Sequence, residues 1–352
     1  MKKIDTDWIV KTDKLSKDGL LNNNYPTGGG RGRRRLEIGQ YQHIILIMGL
    51  MASGKSSMAK FYIDQGYVWV NRDALGGAIK GLEKYVRAAL EENKSVVLDN
   101  TFPTKKSREL FINLAKEYNV PIDCIHLNTS LNDAERNYCQ RMLSITGKAL
   151  SYEEMKKLKH PNIFDPYVLL NYLKNLELPS LEEGFYTVRT MPFVRKIDPA
   201  YKNKAAVFDY DGTLRVTNNG GLYPTDPGQV EILPGRKEKL QQLKQDGYIL
   251  LGISNQSGVS TGKLTLEQAK ACFDKTNELL GQDIDYLFCP HPSWPVKCHC
   301  RKPNIFHAVQ FIEKYKLDVE QTFFVGDYKT DQEMAEKIGF KYYDQKDFFK
   351  EI

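Results

Sequence analysis

Two apolar runs along the chain each close on polar residues. They are HIILIMGL at 43–50 and KAAVFDYDGTL at 204–214. Each opens a stretch in which apolar segments of strand length alternate with helical patterns. VVLDN (96–100) and CIHL (124–127) follow the first; YILLGISN (248–255), YLFC (286–289) and TFFVGD (322–327) follow the second. Near-continuous apolar strands separated by helices predict parallel sheets covered on both faces. The expected fold class is α/β, with two Rossmann-like parallel-sheet domains in succession. Pro and Lys interrupt the pattern at MPFVRKIDPAYKNK (191–204), which sets the boundary. The expected organisation is a basic, flexible tail at 1–40, a first domain at 41–195 and a second at 196–352. No internal repeat is present.

Composition narrows the class. The chain has 352 residues with 41% hydrophobic content, enough for two buried cores and too apolar for wholesale disorder. No apolar run is long enough to span a bilayer, and the first twenty residues lack a secretory h-region. The expectation is an intracellular protein, cytoplasmic or nuclear, with no membrane partner, whose clustered cysteines bind metal rather than pair. Net charge is +6, and residues 1–40 carry nine Lys/Arg against five Asp/Glu, concentrated in GGGRGRRR at 28–35. A solvated tail is the plainer expectation; a tether for nucleic-acid phosphates is the sharper one.

The first half carries a phosphate cradle. GLMASGKS (49–56) fits GxxxxGK[ST] between a buried strand and a helix, the context that motif requires. Gly49, Ala52, Ser53, Gly54, Lys55, Ser56 and Ser57 form the expected ATP cradle. Backbone N–H groups close around the phosphates, Lys55 bridges β- and γ-oxygens, and Ser56 ligates Mg²⁺. Asp73, in VWVNRD, stands near a strand's carboxyl end and is the candidate base for a hydroxyl acceptor; an N-cap is its plainer role. Asp99-Asn100-Thr101 ends another strand. In LNDAERNYCQR (131–141), read as a helix, Arg136, Asn137 and Arg141 lie within about two turns, and Arg141 is the candidate to neutralise a transferring phosphoryl group.

These segments, together with LPSLEEGFYTVRTMPF (178–193), resemble in content and order the kinase domain of the polynucleotide kinase 3′-phosphatase family. The resemblance spans residues 43–193. It implies that Asp73 activates a 5′-hydroxyl, that Lys55 and Ser56 hold ATP–Mg²⁺ and that Arg141 is a lid arginine. The phage form of that enzyme has an Arg shortly after its Asp; Leu75, Gly76 and Gly77 stand here instead. PSLEEGF is distinctive but suggests no chemistry of its own.

In the second half, Asp209-Tyr210-Asp211-Gly212-Thr213 follows an apolar strand. Two carboxylates at i and i+2 suit a nucleophile, Asp209, and an acid/base, Asp211. Ser254-Asn255, Lys302 and Gly326-Asp327 follow at further strand ends, with Asp331 one turn on. Over 203–345 this order resembles the haloacid dehalogenase (HAD) phosphatases, which implies Mg²⁺ at Asp209, Asp211 and Asp327, phosphoryl contacts from Ser254, and charge neutralisation by Lys302. Cys289, His291, Cys298 and Cys300 give C-x-H-x₆-C-x-C, a donor set for tetrahedral Zn²⁺; His299 is the less suitable alternative to His291. The pattern looks like the zinc loop of the histidinol-phosphate and heptose-bisphosphate phosphatase branch. Leading directly into Lys302, it is expected to brace that residue. A zinc finger would need a recognition helix between its ligand pairs, and WPVK is too short for one.

A kinase and a phosphatase in one chain make sense if they act on different groups of one substrate. The expectation is an enzyme that heals DNA or RNA ends, phosphorylating 5′-hydroxyls and removing 3′-phosphates, with a ligase or other repair protein as a partner. The alternative is a sugar or nucleoside kinase fused to a sugar-phosphate phosphatase; a non-enzymatic scaffold is the third possibility.

Overall fold

The computed structural model describes residues 42–350; the basic tail expected at 1–40 lies outside the described residues. These residues fall into two compact units. One runs to Thr129 and resumes at Tyr172–Lys196. The other comprises Ser130–Asn171 and the chain from Ile197 onward. By its packing, the stretch 130–171 groups with the chain from Ile197 onward.

The elements up to the linker are β1 (Ile44–Gly49), α1 (Lys55–Ile63), β2 (Val68–Val70), α2 (Arg72–Leu75), α3 (Glu83–Glu91), β3 (Val96–Asp99), α4 (Lys105–Glu117), β4 (Ile122–Asn128), α5 (Leu131–Thr146), α6 (Tyr152–Leu158), α7 (Tyr167–Lys174) and β5 (Thr187–Pro192). The five strands form one parallel sheet in the order β2-β3-β1-β4-β5. β1 reads as an unbroken apolar run because both its faces are covered. Ile44, Leu46 and Met48 pack with Val86, Leu98 and Phe111 on one side, Ile45 and Ile47 with Ala59, Val97 and Ile125 on the other. Helix starts follow local chemistry: Thr104 and Ser107 form a reciprocal cap on α4, and the Ser130 hydroxyl accepts from Asp133 N at the start of α5.

Beyond the linker come β6 (Ala205–Phe208), β7 (Arg215–Thr217), β8 (Val230–Ile232), α8 (Arg236–Gln245), β9 (Ile249–Asn255), α9 (Ser257–Ser260), α10 (Leu266–Leu280), β10 (Asp285–Cys289), α11 (Phe306–Tyr315), β11 (Phe323–Gly326), α12 (Lys329–Ile338), β12 (Lys341–Asp344) and α13 (Gln345–Phe348). A second parallel sheet has the order β10-β9-β6-β11-β12, and β7 and β8 form an antiparallel ribbon. β6 is central, so the residues after β6, β9, β10 and β11 all emerge at one carboxyl edge. Within this unit α5 lies against α11 and α12. Gln140 Nε2 donates to Glu313 (2.8 Å), and Lys337 faces Glu135 at 3.8 Å. Both sheets are parallel and helix-flanked, as the alternation of apolar runs and helical patterns predicts.

Candidate active sites

In the first unit the turn after β1 takes positive φ at Gly49 (151°), Ala52 (61°) and Gly54 (95°). At Gly49 a side chain is excluded outright: a Cβ would stand 2.9 Å from Leu127 O and 2.9 Å from Ser53 Oγ. Thr129 Oγ1 ties the turn down by donating to Ser53 O (3.1 Å). Lys55 Nζ donates to the carbonyls of Gly49 (3.0 Å) and Leu50 (2.5 Å). Ser56 and Ser57 occupy the first turn of α1.

β3 lies between β1 and β2, which puts Asp99 and Asn100 between this turn and Asp73. Asp99 is buried. Burial raises its carboxyl pKa, while the charge of Lys55 and a hydrogen bond from Ser56 oppose the rise. Asn71 fastens the next loop: Nδ2 donates to Asp99 O (2.6 Å) and Oδ1 accepts from Ala74 N (3.0 Å). Arg72 N donates to Asn100 Oδ1 (3.0 Å). Asn71, not Asp73, is thus the N-cap, and Asp73 sits one residue into the short helix α2 with its carboxylate exposed. Its Oδ1 accepts from Arg72 Nη2 at 3.0 Å.

The PSLEEGF segment has a structural explanation. Arg108 of α4 is fully buried; Nε and Nη2 donate to the two oxygens of Glu183 at 2.8 Å each, and Nη1 donates to Phe102 O and Glu177 O at 3.0 Å. The segment supplies a buried counter-charge behind the Asp99 strand end. Arg136, Asn137 and Arg141 stand on α5, in the second unit, where Arg141 Nη1 donates to Asn162 Oδ1 (3.1 Å).

The second unit gathers its acidic stations tightly. Lys302 Nζ reaches Asp209 Oδ1 (2.5 Å), Asp331 Oδ1 (2.7 Å) and Ile253 O (2.9 Å), and all three side chains are buried. Burial pushes Asp209 up to about 7; Lys302 opposes the rise, and Asp331 and Asp211 add to it. Burial alone would lower the Lys302 ammonium, but the charges of Asp209 and Asp331 outweigh it and leave the pKa raised. Asp209, Asp327 and Asp331 bring one oxygen each within 4.8 Å of one another, a hard-oxygen set suited to Mg²⁺. Asp331, noted in the sequence one turn beyond Asp327, joins this group. The Asp211 carboxylate is held separately: Oδ1 accepts from Arg215 Nε (2.8 Å) and Oδ2 from Gln256 Nε2 (2.6 Å). Arg215 is itself held by Cys272 O (2.8 Å) and Thr276 Oγ1 (2.9 Å).

Gly212, at φ 82°, lets the Asp209 and Asp327 loops approach; a Cβ there would overlap the Asp327 carboxylate. Ser254 Oγ accepts from Gln256 Nε2 (3.2 Å). Asn255 does not address the pocket: its amide exchanges hydrogen bonds with Lys302 N (3.0 Å) and O (3.2 Å), fixing that residue's backbone.

Cys289, His291, Cys298 and Cys300 converge, with one donor atom from each within 4.8 Å. Cys289 and Cys298 sulfurs lie 3.7 Å apart, and His291 Nδ1 is 3.4 Å from Cys289 Sγ and 3.1 Å from Cys300 Sγ. A tetrahedron with metal–sulfur bonds of about 2.3 Å has edges of about 3.8 Å, so the set fits one tetrahedral ion. His299 points away from the cluster, with Nε2 on Phe164 O at 2.9 Å.

Parts of the chain are similar to known proteins. Residues 204–349 match the model of the family described as polynucleotide kinase 3 phosphatase. Residues 75–158, beginning after the phosphate-cradle turn, match an AAA domain. A bifunctional polynucleotide phosphatase/kinase of Schizosaccharomyces pombe is 36% identical over 159 residues, 44% of this chain and 34% of that protein. The chain thus spans about a third of that relative's length. A D-glycero-beta-D-manno-heptose-1,7-bisphosphate 7-phosphatase of Haemophilus ducreyi is 31% identical over 148 residues, 39% of this chain and 80% of that one. A solved structure described as the Pnkp1/Rnl/Hen1 RNA repair complex covers 86% of this chain and 96% of its own at 21% identity, with a TM-score of 0.30.

Proposed function

The chain belongs to the phosphatase family marked by its polynucleotide kinase 3 phosphatase match and its heptose-bisphosphatase relatives, and from that premise we propose that it heals nucleic-acid ends. It phosphorylates 5′-hydroxyls with ATP and removes 3′-phosphates. The observation that carries this is the pairing, in one chain, of a phosphate cradle with Asp73 nearby and a separate Asp209–Lys302–Asp331 cluster with an independently held Asp211.

In the kinase reaction the 5′-oxygen attacks the γ-phosphorus and Asp73 receives the hydroxyl proton. The bond to the ADP oxygen breaks, while Lys55 and the turn's N–H groups hold the charge. Ser56 and Asp99 would hold Mg²⁺ with the nucleotide.

In the phosphatase reaction an Asp209 oxygen attacks phosphorus, and the leaving 3′-oxygen takes a proton from Asp211. Asp211 then takes a proton from water, whose oxygen attacks the aspartyl-phosphate; free phosphate leaves and Asp209 is regenerated. Lys302 opposes the rise that burial imposes on the Asp209 carboxyl and so favours its ionised, nucleophilic form. Asp209, Asp327 and Asp331 would hold Mg²⁺, which supplies compensation of the phosphoryl charge. The Cys/His cluster would hold Zn²⁺ as a brace for the loop feeding Lys302, in keeping with a reducing intracellular setting.

The products, 5′-phosphate and 3′-hydroxyl, are the termini that a ligation reaction consumes. Incubation with ATP and an oligonucleotide carrying 5′-hydroxyl and 3′-phosphate, followed by mass analysis of each end, tests the proposal. A 5′ gain and a 3′ loss of phosphate are expected. Unchanged ends, with turnover of sugar phosphates instead, would favour the small-molecule alternative that the heptose-bisphosphatase relatives suggest.

A further inference from the structure

Trp294 and Tyr328 are 79% and 69% exposed, and no other aromatic side chain among the described residues exceeds 45%. A scattered apolar side chain on a surface needs no explanation. These two are not scattered: both leave the carboxyl edge of the second sheet, where the acidic cluster stands. Tyr328 directly follows Asp327. Its backbone is tied to Asp331 in both directions, Tyr328 N donating to Asp331 Oδ2 (3.2 Å) and Tyr328 O accepting from Asp331 N (2.9 Å). Asp331 Oδ1 in turn meets Lys302 at 2.7 Å. The main chain of Tyr328 is thus part of the cluster's frame, while its ring stands in solvent. β11 pairs with β6, and Asp209 N donates to Val325 O at 3.0 Å. Tyr328 therefore leaves the sheet one strand from Asp209, a spacing of about 5 Å.

Trp294 lies between His291 and Cys298, in the loop that runs from β10 to Lys302. In the order β10-β9-β6-β11, β10 stands two strands from β6 on the other side, about 10 Å away. The two rings thus leave on opposite sides of the reacting carboxylate. Each is accompanied by a cation: Lys297 follows Trp294 by three residues, and Lys329, beside Tyr328, has a side chain 82% exposed that meets Glu333 at 3.4 Å. A phosphate site flanked by exposed rings and cations matches the chemistry of a nucleotide chain, whose bases stack and whose phosphodiesters are anionic.

We propose that Tyr328 and Trp294 are specificity-determining residues of the phosphatase site, stacking on the bases of a single-stranded end whose 3′-phosphate lies at Asp209. The inference rests on the 3′-phosphatase reading above and names what that site selects. With the phosphate at Asp209, the leaving group is the terminal nucleoside, and it lies beyond the carboxyl edge of the sheet, where Tyr328 stands. Tyr328 takes the terminal base; Trp294 takes a base further along the strand. Every base has a π-face, so the selection ignores sequence. A paired base must first be unstacked and unpaired, so the selection favours a single strand.

The test is steady-state kinetics of the full chain on two single-stranded 3′-phosphorylated oligonucleotides, one ending in an ordinary nucleotide and one in an abasic residue. Wild type should show a KM about 10-fold lower for the base-bearing end, at similar kcat, because the rings touch no reacting atom. Tyr328→Ala should raise that KM to near the abasic value. Tyr328→Phe, which keeps the ring, should retain the preference. Trp294→Ala should raise KM for both oligonucleotides by a similar factor, since both keep their upstream bases; if it sheds zinc, the two Tyr328 variants still decide. A wild type that turns over both oligonucleotides with equal KM, or a Tyr328→Ala that keeps the preference, overturns the inference and leaves the functional proposal standing. So does a Tyr328→Ala that raises KM for a sugar phosphate as much as for the oligonucleotide. Absence of any oligonucleotide turnover by wild type defeats both.

Discussion

Arg108 and Glu183, 75 residues apart in the chain, meet through two parallel hydrogen bonds of 2.8 Å, with side chains 0% and 6% exposed. Removing one partner strands the other charge in the core. Glu183→Gln should therefore cost about 3–5 kcal/mol of stability. Replacing both, Arg108→Met with Glu183→Leu, should recover most of that. Urea titration of the three proteins checks this; a single variant as stable as wild type would show the pair to be dispensable.

Asp73→Asn should abolish the kinase and leave the phosphatase intact, and Asp209→Asn the reverse. The separation follows because Asp73 lies on α2 beside the first sheet while Asp209 follows β6 in the second. End analysis of a doubly modified oligonucleotide reads both. Loss of both activities from either single change would contradict two separate sites.

Gln256 holds one oxygen of Asp211 and also donates to Ser254. Gln256→Ala frees that carboxylate to rotate, so phosphatase kcat should fall about 10- to 100-fold, as a displacement of order 1 Å does. KM should change little. Steady-state kinetics on a 3′-phosphorylated oligonucleotide distinguish this from weakened binding, which would raise KM at constant kcat.

Burial raises the Glu135 carboxyl above its ordinary 4.5, against the opposing pull of Lys337. A folded state that holds this proton more tightly is most stabilised below the unfolded pKa, and the contribution is lost as pH rises through the raised folded value. Glu135→Gln removes that decline. Its advantage over wild type in urea midpoint should grow as pH rises above about 4.5 and level off once the folded-state carboxyl is ionised. A difference that stays flat with pH would rule out the assignment.

Cys298→Ser should lower bound zinc, measured by atomic emission, and lower the unfolding temperature of the phosphatase half. Full zinc content, or metal-free protein of unchanged stability and activity, would remove the brace.

Much of both sites was legible in the sequence because parallel sheets put chemistry at strand ends. Lys55, Asp99, Asp209, Ser254 and Asp327 all follow or close apolar runs. Asp331 was visible one turn beyond Asp327, but its entry into the acidic group depends on how α12 begins, where Asp331 Oδ2 accepts from Tyr328 N at 3.2 Å. The Asp211 clamp was hidden because Gln256 and Arg215 come from other elements. Arg108 did leave a signal: with Phe111, Ile112 and Ala115 it occupies i, i+3, i+4 and i+7, the buried face of α4. An arginine on such a stripe demands a buried acid, but spacing alone does not name Glu183. The placement of 130–171 was hidden for a different reason: the order of kinase-like motifs runs straight through it, and only tertiary packing shows which core it joins.

That packing constrains how the chain can be divided. A shortened protein beginning at Ile197 would keep every phosphatase station yet lack α5, leaving Glu313 without Gln140, Lys337 without Glu135 and His299 without Phe164. One wall of the downstream enzyme is encoded upstream, inside the span of its neighbour. Cutting the chain at the linker would leave the second unit open to solvent along a surface it was built to hide.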